Sequence, residues 1–410
     1  MIQDLTAGGA ARAGLITRVL TPIIRGSGRR MLSWEPAGSI MLELPNGQRV
    51  RFGVQSAAHE PVLKLNNYGV IAKSLRRGGI GFAEAYIDGD FDCSDLTGVF
   101  RFFVQNRDRL DDTGGLLFKA RLPDRIAHRI RRNSLKGSRR NISEHYDLGN
   151  DFYRLWLDEG MNYSSGLYRN ESECLEDAQS AKIDLVLDAL ELAGRERVLE
   201  IGCGWGGLAR RIVEAKGASI VGLTLSHEQL AFARDQARAA GVAEKCDFRL
   251  QDYRNASGLY DRIVSVEMIE AVGEENWPHY FQTLRDRLKP GGSAVIQAIT
   301  MEERRFEKYR RKADFIQRYI FPGGMLLTET VIATHADRAG MTFERVENFG
   351  QSYALTLREW RRRFEEAWPQ VEALGFGETF RRKWLYYLAY CEAGFLDEVI
   401  DVGVYRLRKT

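Results

Sequence analysis

The stretch RVLEIGCGWGGLARRI, residues 197–212, limits the possible folds of this chain more than any other part of it. Its apolar start, glycine-rich middle and amphipathic end predict a buried strand, a tight turn and a helix in succession. Gly202, Gly204 and Gly207 have the G-x-G-x-x-G spacing that brings backbone amides at a helix N-terminus close to a nucleotide. The spacing alone is a weak signal, because a glycine turn can also serve only to pack a helix against a strand.

The residues around this turn favour a cationic nucleoside ligand over a dinucleotide or a nucleotide phosphate. A dinucleotide site needs an acidic residue at the end of the next strand, but that strand ends at Thr224. The turn also lacks the Lys-Ser/Thr ending of a phosphate-binding loop. Glu200 precedes the glycines, and a carboxylate there suits a ligand that carries an ammonium or sulfonium group. We therefore expect the turn to bind S-adenosylmethionine.

Length and composition narrow the class of protein. A chain of 410 residues is long enough for two domains with separate cores. Its five cysteines contain no C-x-x-C pair, so we expect neither a disulfide framework nor a metal site. No run of about 18 or more apolar residues and no signal peptide are present, which predicts a cytoplasmic protein. A net charge of +3 is too small to indicate a nucleic-acid partner.

The charge is unevenly distributed along the chain. Residues 119–140 contain nine lysines and arginines and a single acidic residue, Asp124. Such a segment is either a solvated linker or a surface for anionic lipid, where each basic residue contributes roughly 1 kcal/mol. The sequence does not choose between these two interpretations.

The pattern of elements predicts an α/β protein with two domains. Residues 1–112 alternate short strands and turns, including a hairpin with Asn46-Gly47 at its tip, and form a smaller α+β domain. A basic linker follows at 113–140, and residues 141–410 form a doubly wound, Rossmann-like domain. Beyond Thr300 we expect helices rich in arginine and aromatic residues. The predicted strands of the second domain are Arg197–Ile201, Ser219–Leu223, Asp247–Leu250, Tyr260–Val266 and Ser293–Ala298.

Polar residues follow several of these strands. Ligands of such sheets bind beyond the carboxyl ends of the strands, where the glycine turn, Thr224, residues 251–253 and Glu267 are expected to converge.

Six blocks in fixed order carry a resemblance to a known family. They are EHYDLGNDFY at 144–153, MNYSS at 161–165, VLEIGCGWGG at 198–207, QDYR at 251–254, IFPGG at 320–324 and NFG at 348–350. Together with segment 81–90 of the first domain, they resemble the cyclopropane-fatty-acyl-phospholipid synthases. The resemblance implies a class I methyltransferase that adds a methyl-derived carbon from S-adenosylmethionine across a cis double bond of a phospholipid acyl chain. It also implies a homodimer at the inner face of the cytoplasmic membrane.

The resemblance assigns a cofactor role to one set of residues. It places five around the methionine and ribose parts of S-adenosylmethionine and two near its adenine. The five are Tyr163, Ser164, Gly202, Thr224 and Gln229, and the two are Asp252 and Tyr253. Gly204 belongs to the same turn.

A second set corresponds to the family's site for a bicarbonate ion, which acts as the base. The matching positions are Ser165, Glu270, Gln297, Ile299 through its backbone, and Tyr353. Three positions depart from the family pattern, which more often has cysteine at 165, histidine at 297 and histidine at 271, where this chain has Ala271. Ser165 and Gln297 can still donate hydrogen bonds to an anion.

The position of the base determines the product. Methyl transfer to an alkene leaves a carbocation, which aromatic faces stabilise by roughly 0.5–2 kcal/mol each, and we expect Tyr353 and Tyr319 nearby. Loss of a proton from the new methyl group closes a cyclopropane ring, whereas loss from a neighbouring chain carbon leaves a methyl-branched alkene. Cyclopropane formation is the first expectation and the branched alkene is the alternative. A methyltransferase for a soluble amine or hydroxyl, and a non-enzymatic lipid-binding module, are the other interpretations.

Overall fold

The computed structural model describes residues 37–53, 60–108, 148–311 and 314–410. The chain divides into two compact units, Met1–Lys119 and Ala120–Thr410. Three predicted features lie outside the described residues: the linker, both domain boundaries and residues 144–147 of the block at 144–153. The exact domain limits therefore stay a prediction.

The first unit contains a small mixed sheet with helices. Its strands run in the order β2-β1-β3-β4, with β1 antiparallel to β2 and parallel to β3. The predicted hairpin joins β1 to β2, and Gly47 in its turn has a φ of 78° that glycine adopts readily. The elements are β1 (Ser39–Glu43), β2 (Arg49–Gly53), β3 (Val62–Leu65), α1 (Gly69–Arg77), α2 (Gly79–Ile87), β4 (Phe91–Cys93) and α3 (Leu96–Gln105).

The second unit contains a seven-stranded sheet, which confirms the α/β prediction. The strand order is β10-β11-β9-β8-β5-β6-β7, and the five strands from β5 to β9 are mutually parallel. All five predicted strands are present, with boundaries shifted by a few residues at most except for the longer β9. The strands are β5 (Arg197–Ile201), β6 (Ser219–Thr224), β7 (Cys246–Leu250), β8 (Tyr260–Val266), β9 (Leu288–Met301), β10 (Met341–Asn348) and β11 (Ile400–Lys409).

Helices alternate with these strands and then dominate the C-terminal part. A core of aliphatic and aromatic side chains fills the space between sheet and helices, with Trp277, Tyr280 and Phe281 almost fully buried. The helices are α4 (Asn150–Arg154), α5 (Leu175–Leu190), α6 (Gly207–Lys216), α7 (His227–Ala239), α8 (Trp277–Arg287), α9 (Glu303–Tyr309), α10 (Phe315–Tyr319), α11 (Glu329–Arg338), α12 (Gly350–Glu366), α13 (Trp368–Ala373) and α14 (Glu378–Leu396).

The region beyond Thr300 differs from the prediction of helices alone, because β10 and β11 add two antiparallel strands to the sheet. The sequence analysis did not predict β11 as a strand, because its arginines are not typical of a buried strand. Arg406 pairs with Glu191 and Glu344, so its charge is compensated at the sheet surface while Val402 and Val404 are buried. No helix in the described ranges is both long and apolar enough to cross a membrane.

Candidate active site

The glycine turn has the geometry of a ligand-binding loop. Gly202, Gly204 and Gly206 have φ values of 82°, 52° and 83°, which side chains disfavour. The amides of Gly202 and Cys203 donate to the Leu223 carbonyl at 3.0 and 2.9 Å, which ties the turn to the end of β6. A Cβ on Gly204 would meet no atom within 4 Å, so this part of the turn faces open space. The backbone is thus free to approach a nucleoside.

Glu200 and Lys182 are two buried ionisable residues close to the turn. Glu200 is 3 % exposed, and its Oε2 has no hydrogen-bond partner among the described residues. Burial raises the pKa of Glu200 to about 8, against the opposing effect of Lys182. An orphaned, buried carboxyl oxygen beside a glycine turn fits the ammonium group of a bound S-adenosylmethionine.

Thr224 and Gln229 meet beyond the end of β6, as the sequence predicts for neighbours in one site. The Thr224 hydroxyl donates to Gln229 Oε1 at 2.7 Å, and both side chains are buried. The side chain of Ser226 caps α7, because it accepts from the Gln229 amide.

Asp252 and Tyr253 lie just beyond the end of β7, after Gln251. Asp252 is 2 % exposed and is held by Arg254, whose Nη2 lies 2.7 Å from Oδ2. Arg254 therefore compensates the charge of the carboxylate. The Tyr253 hydroxyl is buried without a partner among the described residues, and burial raises its pKa.

Tyr163 and Ser164 lie in the loop before α5. The Tyr163 hydroxyl is 3.0 Å from the Tyr387 hydroxyl. Two side chains of α5 contact Ser164. Gln179 donates to the Ser164 carbonyl and Lys182 donates to the Ser164 hydroxyl, both at 2.7 Å. Met161, two residues before Tyr163, has a φ of 56°, so the loop is bent sharply on its way to the site.

The groups predicted to hold an anion converge on a carboxylate of the chain itself, that of Glu267. The Ser165 amide and Gln297 Nε2 donate to its Oε1 at 2.8 and 2.7 Å, and the Tyr353 hydroxyl donates to its Oε2 at 2.6 Å. The pKa of Glu267 is raised, because burial outweighs the Tyr353, Ser165, Lys182 and Gln297 interactions that lower it. Three predicted anion-binding residues are thus brought together around one side chain.

The backbone at Glu267 is strained. Its φ is 47°, a left-handed value that costs a residue with a Cβ roughly 1–2 kcal/mol. Its amide donates to the Gln297 carbonyl at 2.8 Å, which fixes this turn to the neighbouring strand β9. Strain of this kind persists where the surrounding structure enforces it, and it often marks a functional position.

Glu270 lies next to this group in a short 3-10 turn, Ile269–Ala271. Its Oε1 accepts from the Ile299 amide at 2.6 Å, whereas its Oε2 is buried without a partner among the described residues. Burial and the nearby Glu267 charge raise the pKa of Glu270 to about 8. The pKa values of both carboxyls are thus raised, and each disfavours ionisation of the other, as expected for two carboxyls in one buried site.

Aromatic rings form one wall of the site. Tyr353 stacks on Phe395 at a centroid distance of 4.4 Å, and Tyr163 contacts Trp360 at 5.4 Å and Phe321 at 6.4 Å. Tyr319, the other tyrosine expected here, packs against Phe315 with the Arg318 guanidinium over its ring.

Comparison with known proteins identifies the family. The family model described as mycolic acid cyclopropane synthetase matches residues 133–405. The chain belongs to this family. The cyclopropane synthase family accounts for the sheet, the glycine turn and the aromatic C-terminal helices together, and the chain is an S-adenosylmethionine-dependent methyltransferase.

Two relatives of the cyclopropane synthase family extend over most of the chain. The tuberculostearic acid methyltransferase UfaA1 of Mycobacterium tuberculosis is 39 % identical over 358 residues, 83 % of this chain and 82 % of that protein. The cyclopropane-fatty-acyl-phospholipid synthase of Escherichia coli K12 is 34 % identical over 346 residues, 81 % of this chain and 84 % of that protein.

A solved structure agrees with this assignment. The crystal structure of the mycolic acid cyclopropane synthase CmaA1, complexed with SAH and CTAB, superimposes with a TM-score of 0.62 at 30 % identity. The match covers 66 % of this chain and 98 % of that one.

The sequence analysis places Glu267 among the groups at the strand ends but assigns it no role and does not include Lys182. The position of Glu267 three residues before Glu270 is the signal that indicates a second carboxylate at the same strand end. Nothing in the sequence indicates that Lys182 lies in the site, because a lysine in an amphipathic helix normally faces solvent. In the structure its side chain is only 3 % exposed.

Proposed function

We propose that this protein transfers the methyl group of S-adenosylmethionine to a cis double bond of an unsaturated phospholipid acyl chain, with the Glu267 carboxylate as the base. The observation that carries the proposal is the convergence of the Ser165 amide, the Gln297 side-chain amide and the Tyr353 hydroxyl on that carboxylate. The family resemblance leads to the expectation that these groups hold a bicarbonate ion.

Glu267 replaces the bicarbonate ion in this proposal. All three donors already have an acceptor, and the Ile299 amide, the fourth predicted contact, donates to Glu270. A free anion would have to displace a carboxylate that is covalently attached and already hydrogen-bonded. Two negative charges at one buried position are strongly disfavoured.

The chemistry follows from these positions. S-adenosylmethionine supplies the methyl group when bound, as its sulfur–carbon bond breaks and the alkene π pair forms the new carbon–carbon bond. The substrate then carries a positive charge on the adjacent carbon. The rings of Tyr353 and Phe395 face such a cation favourably and help to exclude water, which would otherwise capture it. Glu267 accepts one proton from the substrate, and the electron pair left behind forms the final bond.

We favour a methyl-branched alkene as the product. A carboxylate held by its own backbone and by three donors has one fixed position, so it removes a proton from one carbon only and yields a single product. The relative named as a tuberculostearic acid methyltransferase supports this outcome. Cyclopropane formation is the second candidate, supported by the relative named as a cyclopropane-fatty-acyl-phospholipid synthase.

Deuterated cofactor distinguishes the two products. The purified protein is incubated with vesicles of unsaturated phospholipid and S-adenosylmethionine labelled with three deuterons on the methyl group, and the acyl chains are analysed by mass spectrometry. A methyl-branched alkene retains all three deuterons, whereas a cyclopropane retains two. Transfer of label to soluble amines or hydroxyls, with none in the lipid, would refute the proposed function.

We also propose that the protein acts as a homodimer bound peripherally to the inner face of the cytoplasmic membrane. A buried acyl chain must leave the bilayer without crossing water, since each exposed methylene costs about 0.8 kcal/mol. The first unit and the basic segment 119–140 are the proposed lipid-binding parts, and the aromatic C-terminal helices line the path. Co-sedimentation with anionic vesicles should weaken as salt is raised, while binding to zwitterionic vesicles alone would contradict this arrangement.

A further inference from the structure

Helix α5 contacts the site through two buried side chains. Gln179 and Lys182 are 1 % and 3 % exposed, and both donate hydrogen bonds to Ser164, one to its carbonyl and one to its hydroxyl. A long, rigid element thus holds a single residue of the loop at two points. Burying a lysine costs free energy unless its charge is compensated. One hydrogen bond alone therefore does not account for the buried position of Lys182.

The peptide bond between Ser164 and Ser165 connects this contact to Glu267. Its carbonyl accepts from Gln179 at 2.7 Å, and its N–H donates to Glu267 Oε1 at 2.8 Å. The carbonyl and the N–H of a trans peptide point in opposite directions, so fixing one directs the other. Hydrogen bonds in series also polarise one another.

Lys182 differs from Gln179 in its charge. The pKa of Lys182 is lowered, because burial outweighs the neighbouring Glu267, Asp158 and Glu200, which raise it, with Glu267 first among the three. The same interaction lowers the pKa of Glu267 from the other side. Lys182 is therefore electrostatically coupled to the base.

The other groups that act on Glu267 come from the elements packed around it. The Tyr353 hydroxyl, the Ser165 amide and Gln297 Nε2 stabilise the carboxylate. Glu270 is repelled by it, and the buried Tyr387 hydroxyl of α14 also interacts with its charge.

We propose that Lys182 is a positioning residue for the reaction: its hydrogen bond to Ser164 holds the loop that donates to the Glu267 carboxylate, and its ammonium group favours the ionised form of that carboxylate. The inference rests on the proposed role of Glu267 as the base. A base must be ionised to accept a proton, so loss of the Lys182 charge should move the lower limit of the working pH range upward.

The test is a titration of the Glu267 carboxyl by infrared difference spectroscopy, with its band assigned by its absence in Glu267→Gln. Lys182→Met should shift the midpoint upward by about one pH unit. The acid limb of the pH–rate profile should shift by the same amount. Ser164→Ala is the matched control, because it removes the same hydrogen bond and keeps the charge, and its midpoint should shift by less than that of Lys182→Met.

Two results would overturn the proposal: an unshifted midpoint in Lys182→Met, or an equal shift in Ser164→Ala. If Lys182→Met does not fold, Lys182→Gln removes the charge while keeping a donor and gives the same two outcomes. Because the infrared readout needs no turnover, failure of this inference is distinct from failure of the proposed function, which would appear as absence of labelled lipid in the wild type.

Discussion

Replacement of Glu267 by glutamine should abolish turnover while leaving the protein folded. The Ser165 amide and Gln297 Nε2 both donate to Oε1, so an amide oxygen at that position keeps both hydrogen bonds. The amide nitrogen then faces the Tyr353 hydroxyl, which can accept instead of donate. Hydrogen bonds to the neutral glutamine amide are weaker than those to a carboxylate, but the amide also costs less free energy to bury. We therefore expect the free energy of unfolding to change by no more than about 2 kcal/mol.

The loss of rate is much larger than this change in stability. An amide does not accept a proton at neutral pH, and removal of a positioned base typically costs a factor of about 10²–10⁴. This corresponds to about 3–5 kcal/mol of transition-state stabilisation. The measurement is kcat with deuterated cofactor and unsaturated phospholipid vesicles, alongside a denaturant titration to confirm the fold.

Glu267→Gly is the matched variant. Glycine adopts the φ of 47° without strain, which should restore roughly 1–2 kcal/mol. Removal of the side chain leaves the Ser165, Gln297 and Tyr353 donors facing a space in which a small carboxylate fits. Formate or bicarbonate should therefore raise the rate of Glu267→Gly at least about tenfold, whereas Glu267→Gln, whose side chain fills the space, should not respond.

The wild type provides the decisive comparison. Removal of dissolved bicarbonate should leave its rate unchanged, because the base is part of the chain. A wild-type rate that depends on bicarbonate, or a Glu267→Gln variant that retains a third or more of wild-type kcat, would refute the reasoning.

Three further predictions concern other buried carboxyls. Glu270→Ala should lower kcat at least about 100-fold while calorimetry still detects S-adenosylmethionine binding, and wild-type activity would exclude Glu270 from the site. The pKa of Glu200 is raised from 4.5 to about 8, so between these pH values the folded state holds a proton that the unfolded state has lost. The free energy of unfolding should therefore fall by up to about 1.4 kcal/mol per pH unit as the pH rises from 4.5 to about 8. Glu200→Gln should make this pH dependence weaker in denaturant titrations. Glu392, 2 % exposed, pairs with the partly exposed Arg358 and Arg361 at 3.1 and 2.8 Å, so Glu392→Ala should lower the free energy of unfolding by about 1–2 kcal/mol, and an unchanged Tm would contradict this.

Local sequence determined the parallel part of the sheet and the place of the cofactor site. The central strands β5, β6 and β8 are short and mostly apolar, and burial on both faces of a parallel sheet produces such runs directly, whereas β7 at the sheet edge buries only Phe248. The glycine spacing after β5 is equally local, because left-handed φ values at Gly202 and Gly204 are a property of single residues. Family resemblance then added Ser165, Gln297 and Tyr353 as members of one anion site.

Tertiary structure decided what occupies that site. Ser165 and Tyr353 are separated by nearly 200 positions in the sequence, and Glu267 lies between them. Only the packing of α5, α12 and the ends of β8 and β9 brings their polar atoms within hydrogen-bond distance of one carboxylate. The same packing buries Lys182 and raises the pKa of Glu270 to about 8, because desolvation depends on every neighbouring element. The sequence thus determines which residues are available for the chemistry, whereas long-range packing determines which of them is charged and where it points.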